Sequence, residues 1–334
     1  MTGPTEAPTA TWLHRLAVNR WEWAFWIAVA ILPLLFPRRL PLINEIAIMA
    51  LFALSLDLLL GYAGIVSLGH AAFFGVGAYA AGLLAKHGVT EPITGLLIST
   101  LTAALVGFVT SFLVLRGSDL TRLMVTMGVA LMLLEIANRF DTITGGADGL
   151  QGVTMGPILG LFRFDLAGRT ACAYSLVTLL LLFLLARRLV RSPFGLSLRA
   201  IKANRLRAVS VGVPADARLV AIYTVAAGYA GAAGALLAQT TQFVSLDVLD
   251  FHRSADVLLV LVLGGSGYLY GGLIGALVFK LMQDWLAALT PQYWQFWIGL
   301  ILVLVVLIGR ERLPALVARV AARLRRRPAR DTAP

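Results

Sequence analysis

The chain has 334 residues, is 59% hydrophobic and only 13% charged, and has a mean hydropathy of +0.85. A soluble globular domain carries about 25% charged residues, so this composition excludes one and leaves room for roughly ten membrane spans of about 20 residues with short loops. No long polar block remains for an ATPase, kinase or receptor domain, and the net charge of +11 sits at span ends and in the tail, as the positive-inside bias places it, rather than as a nucleic-acid-binding surface.

Residues 1–21 read as a cytoplasmic N-terminal tail. The opening MTGPTEAPTATWLHR has no signal-peptide h-region, and the apolar stretch after Trp21 has no clear cleavage site, so that stretch reads as a retained first span. Apolar segments follow at 22–37, 41–60, 68–86, 92–115, 119–138, 172–190, 217–241, 254–265, 268–289 and 293–309. Most are long enough for roughly 25 Å of helix. The 254–265 segment is too short to cross alone and reads as a half-span, a re-entrant helix or a tilted piece inside the bundle. The expected fold is all-α and polytopic, with about 8–10 transmembrane helices, some broken or re-entrant. Its membrane domain covers 22–310, and a basic cytoplasmic tail covers 311–334.

Arginine sets the expected orientation. Arg187, Arg188, Arg191, Arg199, Arg205 and Arg207 flank and fill one loop, at about 191–216, which therefore faces the cytoplasm with both termini. Arg116 and Arg122 fall inside as well. Arg38 and Arg39 fall outside, against the rule, as a shallow hairpin or a tolerated exception. The long loop from Asn138 to Gly168 then lies outside. Its Thr144, Gly145, Gly146 and Gly149 build turns whose backbone groups stay solvated or bind ligand, where a solute or an external delivery protein would be met.

Residues 61–82, GYAGIVSLGHAAFFGVGAYAAG, hold glycine too densely for an ordinary helix. Two readings compete. A broken helix lining a translocation path would need its freed backbone groups satisfied by protein or cavity water; close helix packing through small residues needs no path. On the first reading Gly61, Gly64, Ser67, Gly69, His70, Gly75 and Tyr79 are the lining candidates. The Gly-Tyr-Ala-Gly at 61–64 recurs at 228–231, an echo of the kind that internal repeats leave in transporters. Residues 263–275, LGGSGYLYGGLIG, lack the Lys-Ser or Lys-Thr of a phosphate loop and read as a re-entrant turn or a packing corner.

Charges inside the spans read as follows. Asp57 snorkels to the inner interface. Glu135 pairs locally with Arg139 or lines a polar path. Asp256 is a helix N-terminal acid beside His252 and Arg253. Lys280 and Asp284, four apart, pair with each other. His70 and His252 lack metal-ligand spacing, so no metal is expected. The single cysteine, Cys172, rules out an intramolecular disulfide. No paired catalytic signature stands out, and no chain of carboxylates threads the spans as an ion-driven transporter would need.

Residues 192–213, SPFGLSLRAIKANRLRAVSVGV, carry Leu196, Leu198, Ile201, Leu206 and Val209 with basic residues between them. Ser192-Pro193 ends the preceding span, and a short amphipathic helix follows. It is either a connector on anionic lipid headgroups or a knob for the groove of a soluble partner.

Four stretches occur in a fixed order: GYAGIVSLGHAAFFGVGAYAAG, TGGADGL, RSPFGLSLRAIKANRLRAVSVGV and HRSADVLLVLVLGGSGYLYGGLIGALV. Together, over roughly residues 40–310, they resemble the LivM-type permeases of branched-chain amino acid ABC importers. The resemblance implies an ABC importer permease fold in a bacterial inner membrane. It also implies a LivH-type permease partner, two cytoplasmic ATPase subunits that alone use ATP, and an extracytoplasmic binding protein. It places Gly195, Arg199, Ala200, Ile201, Asn204, Ala208 and Gly212 in the ATPase-contact loop. It leaves no cofactor on this chain, and related importers of urea, short amides or aromatic acids widen the expected substrate. The chain departs from the family at Lys202, Ala203, Asn204 and Arg205, where acidic residues are common, at Ile65, where Gln is frequent, and at Asp57, where Asn is common.

Overall fold

The computed structural model describes residues 20–308 apart from residue 166. The basic tail expected at 311–334, and all but the last two residues of the N-terminal tail expected at 1–21, lie outside the described residues. All ten apolar segments form helices. The first six are α1 (Arg20–Leu35), α2 (Leu40–Leu56, prolonged by a π-helical turn Asp57–Ala63), α3 (Ala71–Lys86), α4 (Pro92–Val114), α5 (Asp119–Arg139) and α6 (Arg169–Arg191). Two short helices, α7 (Pro193–Ala203) and α8 (Arg205–Ser210), interrupt the series before α9 (Ala215–Thr241), α10 (Phe251–Gly264), α11 (Leu269–Leu289) and α12 (Trp294–Ile308). Six of the described helical stretches are long and apolar enough to cross a membrane, the longest being Pro37–Ala63 and Ala215–Thr241 at 27 residues each. The chain is a polytopic all-α membrane protein.

The core forms around α9, whose alanines and glycines are nearly all buried and whose sides meet α4, α3 and α2. Small residues let backbones touch where larger ones would hold them apart. A Cβ on Gly77 would overlap the Gly231 backbone, one on Gly234 would overlap the Phe74 carbonyl, and one on Gly231 would overlap Ala103. Dense glycine thus serves close packing in α3 and α9. The outward faces of α4 and α5 present Leu101, Leu105, Val109, Met124 and Met132, all exposed in the chain and suited to lipid. The Gly-Tyr-Ala-Gly echo marks no equivalent positions: Gly61–Gly64 closes the π-helical turn, whereas Gly228–Gly231 is straight helix inside α9.

Several local expectations yield to tertiary partners. Lys280 and Asp284 do not pair: Lys280 Nζ reaches Glu45 on α2 at 3.1 Å, and Asp284 pairs with Arg39. A helix-surface pair is worth about 0.2–0.5 kcal/mol, so a neighbouring helix with a better-placed charge easily wins. Asp57 does not snorkel; it is 0% exposed, and its Oδ1 accepts the Gly267 backbone N–H at 2.7 Å. Glu135 is exposed and forms no ion pair with Arg139 among the described residues. Asp256 does not open its helix, because α10 starts earlier, with Asp250 as N-cap accepting from the His252 N–H. That N–H, and then the His252 ring, hold Asp250 below the usual carboxylate range; the same side-chain hydrogen bond and charge hold His252 above the usual histidine range.

Candidate functional site

The segment between α6 and α9 forms a platform at one end of the bundle. Pro193 occupies the first turn of α7, where a missing N–H costs nothing. A Cβ on Gly195 would overlap the Val190 carbonyl, so only glycine permits the tight α6–α7 corner. Leu198 and Ile201 turn inward and are buried. Asn204 caps α8, its Oδ1 accepting the Arg207 N–H at 2.9 Å. Ala208 is buried, and Gly212, with φ of 89°, closes the turn into α9.

Of the residues that the resemblance places in the contact loop, Gly195, Ile201, Ala208, Asn204 and Gly212 therefore shape the platform, while Arg199 and Ala200 are exposed on it. The outward face holds further apolar groups, with Leu206 82% and Val211 79% exposed beside Leu196 and Val209. Leu206 and Val209 read from sequence as one apolar stripe with Leu198 and Ile201. The six-residue α8 buries only Ala208, so they point away from the bundle instead.

The platform is tied to the broken helix. Lys202 Nζ donates to the Gly61 carbonyl at 2.7 Å, and the Arg199 guanidinium lies 5.1 Å from the centre of the Tyr62 ring. Gly61 O belongs to the π-helical turn, an irregular ladder that frequently marks functional sites. A Cβ on Gly61 would clash with the Asp57 carboxylate and lie 2.5 Å from Gly267 N. Lys202 on α7, Gly61 and Asp57 at the end of α2, and Gly267 at the α10–α11 corner thus meet at one place. The 263–275 stretch is that packing corner: a Cβ on Gly264 or Gly275 would overlap the backbone of the facing helix.

Beyond the turn the chain leaves helical geometry at Gly64, with φ of 75°, and runs into the bundle until α3 begins at Ala71. Side chains from distant helices receive the freed backbone groups, as a nonpolar interior requires. Thr126 Oγ1 accepts the Leu68 N–H at 3.3 Å, and Ser254 Oγ accepts the Ala71 N–H at 2.9 Å. A Cβ on Gly69 would overlap the Thr126 carbonyl. His70 is 0% exposed, its Nε2 2.8 Å from Ser55 Oγ and its ring stacked on Phe52. Asp57 Oδ2, Ser67 Oγ and His70 Nδ1 are buried without hydrogen-bond partners. A buried polar group with no partner at all costs about 1–3 kcal/mol, so the break concentrates spare hydrogen-bonding capacity inside the bundle.

The other lining candidates lie apart from the break. Gly75 presses on Leu249, and the Tyr79 hydroxyl is buried and unpartnered. In the 138–168 loop, the Thr144 hydroxyl donates to the Ala137 carbonyl at 2.6 Å and accepts the Gly146 N–H. Gly145, Gly146 and Gly149 all have positive φ, and Leu150 N–H reaches the Val244 carbonyl at 2.7 Å. That motif is a turn pinned to the α9–α10 connection, with Thr144 and Tyr79 sharing one small apolar cavity between α3 and α5.

A family model described as the branched-chain amino acid transport system / permease component matches residues 39–306. The high-affinity branched-chain amino acid transport system permease protein LivM of Escherichia coli strain K12 is 29% identical over 260 residues, which cover 70% of this chain and 61% of that relative. The protein of the same name from Salmonella typhimurium strain LT2 is 28% identical over the same coverage. The chain thus spans less than two thirds of either relative. No solved structure matches it. Helices α2 to α11, the break after α2 and the interhelical platform fall within the matched residues, and the chain belongs to the family of branched-chain amino acid transport system permease components.

Proposed function

We propose that this chain is a membrane-spanning subunit of an ATP-driven importer, moving a branched-chain amino acid or a related small solute delivered by an extracytoplasmic binding protein. Two cytoplasmic ATPase subunits dock on the α7–α8 platform, and a LivH-type permease completes the membrane part. The chain itself binds no ATP. In this arrangement the platform, the N-terminal tail and the basic C-terminal tail face the cytoplasm of a bacterial inner membrane.

One observation carries the reading: the platform has an exposed apolar and basic outer face, while its inner face is bonded to the break in α2 through Lys202 and Gly61. A connector lying on lipid headgroups needs no such bond. Alternating access requires two packings whose balance the partners bias, and a break with unpartnered polar groups is suited to exchange one packing for another.

Co-purification with the candidate ATPases tests the docking face. Leu206→Asp places a charge on an 82% exposed apolar position and disturbs no buried contact. It is expected to abolish the complex while membrane insertion and thermal stability stay unchanged. Arg199→Glu is expected to weaken the complex as well. Gly195→Trp is unsuitable, since it would break the α6–α7 corner. A complex that survives Leu206→Asp contradicts the docking face, and transport without an ATP-hydrolysing partner contradicts the importer.

A further inference from the structure

The Pro37–Ala63 span carries the platform contact at its C-terminal end, and a charged cleft of about 610 Å³ opens beside Glu45 near its N-terminal end. Ligand pockets typically fall between about 300 and 1,000 Å³. The cleft floor is apolar, built from Ile48, Met49, Phe52, Phe74 and Leu237. Its walls are charged with both signs: Glu45, Asp247 and Asp256 face Lys280 and Arg253, with His252 at the side. Lys280 is paired with Glu45 and Arg253 with Asp247, whereas Asp256 has no ion pair among the described residues. Gln283, another lining residue, has a buried Oε1 without a hydrogen-bond partner.

We infer that this cleft binds a zwitterionic α-amino acid with an aliphatic side chain. The carboxylate meets Lys280, the ammonium group meets Glu45 and Asp256, and the side chain rests on the Phe52–Phe74 floor. This rests on the importer reading for its role in transport, but not for the binding itself.

Charge conservation selects the ligand. Near-balanced walls favour neither a simple anion nor a simple cation. A zwitterion can enter the Lys280–Glu45 pair and leave two ion pairs where there was one, so no charge is stranded in a partly dry site. A solute with only one charged end would break that pair and leave a partner unmatched. The floor also gives the site a route onward. Phe52 and Phe74 are 4.7 Å apart at their ring centres, and Phe52 also stacks on His70 in the break. An occupant of the cleft would therefore rest one aromatic layer from the segment bonded to the platform.

The test is equilibrium binding of radiolabelled L-leucine to the full chain in nanodiscs. Isovalerate, lacking the ammonium group, and isoamylamine, lacking the carboxylate, serve as competitors. Saturable binding displaced by L-isoleucine but by neither competitor is expected. Lys280→Met and Glu45→Gln are each expected to weaken binding about tenfold or more. The exchanged pair Lys280→Glu with Glu45→Lys separates ligand recognition from a structural role: it is expected to recover the melting temperature lost in the single variants without recovering leucine binding. The proposal is overturned if either one-charge competitor displaces leucine as well as isoleucine does, if the exchanged pair restores binding, or if no saturable binding is found. Wild-type binding without ATP-driven uptake in the reconstituted assembly would sink the importer reading and leave the cleft standing.

Discussion

Lys202→Met is expected to uncouple transport from ATP hydrolysis while leaving the ATPases bound. The outer face of α7–α8 is untouched by this change, so docking persists. On the inner face the Gly61 carbonyl loses the ammonium donor that lies 2.7 Å away. A hydrogen bond to a charged group contributes about 1.5–3 kcal/mol, and every 1.4 kcal/mol is a factor of about ten in an equilibrium between two packings. Uptake by the reconstituted assembly should fall about tenfold or more with ATPase activity retained. Asp57→Asn is the matched mild variant, because its side-chain oxygen still accepts from Gly267; Asp57→Ala strands that N–H and should behave like Lys202→Met. Equal loss of uptake and of ATPase binding in Lys202→Met would show that the lysine holds the platform's shape rather than its connection.

Gly234→Val is expected to be the most damaging single change in the core. Its first added atom would overlap the Phe74 carbonyl, and the Ala78 backbone nitrogen lies 3.0 Å from the same point. Backbone cannot rotate aside as a side chain can, and overpacking a well-filled core costs about 1–3 kcal/mol or more. Gly77→Val on the facing helix meets the Gly231 backbone and should act alike. Gly128→Val is the control, since nothing lies within 4 Å of a Cβ there. Melting in detergent should show a marked fall for the first two variants and little change for the third.

The contrast between these glycines explains what was legible in the sequence. Segment positions followed from apolar run length, because the membrane demands long uninterrupted helices. The break near Gly64 was visible in glycine density. What the density could not tell was purpose: Gly77 packs α3 on α9, Gly75 and Gly82 make room for Leu249, Leu150 and Val244 of the connecting segments, and Gly61 and Gly64 shape the turn that meets Lys202 and Gly267. Partners 141 and 210 residues away in the chain leave no local mark. Lys280 shows the same limit from the other side. Its local partner, Asp284, was in plain view, and its actual partner, Glu45, was set by the packing of α11 on α2. The platform was legible as an amphipathic segment, but its faces were not. A helix of six residues cannot bury a full stripe, so Leu206 and Val209 stand outside while Ala208 goes in.

In the proposed importer the platform acts on the break through the contact at Lys202. A Cβ built on Gly64 lies 3.6 Å from Lys202 Cβ, inside the range of about 3.5–4.5 Å that a disulfide bridges. Cys172, the chain's own cysteine, is buried and will not compete. The decisive measurement is ATP-driven uptake by an assembly carrying Gly64→Cys and Lys202→Cys, with reducing agent present and absent, set against Gly64→Cys alone, which reports the strain of a side chain at a φ of 75°. With the bond reduced, the lysine contact is gone and uptake should be low; with the bond formed, a covalent tie replaces that contact and uptake should recover. Equal uptake in both states, or a loss of uptake on oxidation, would contradict the account.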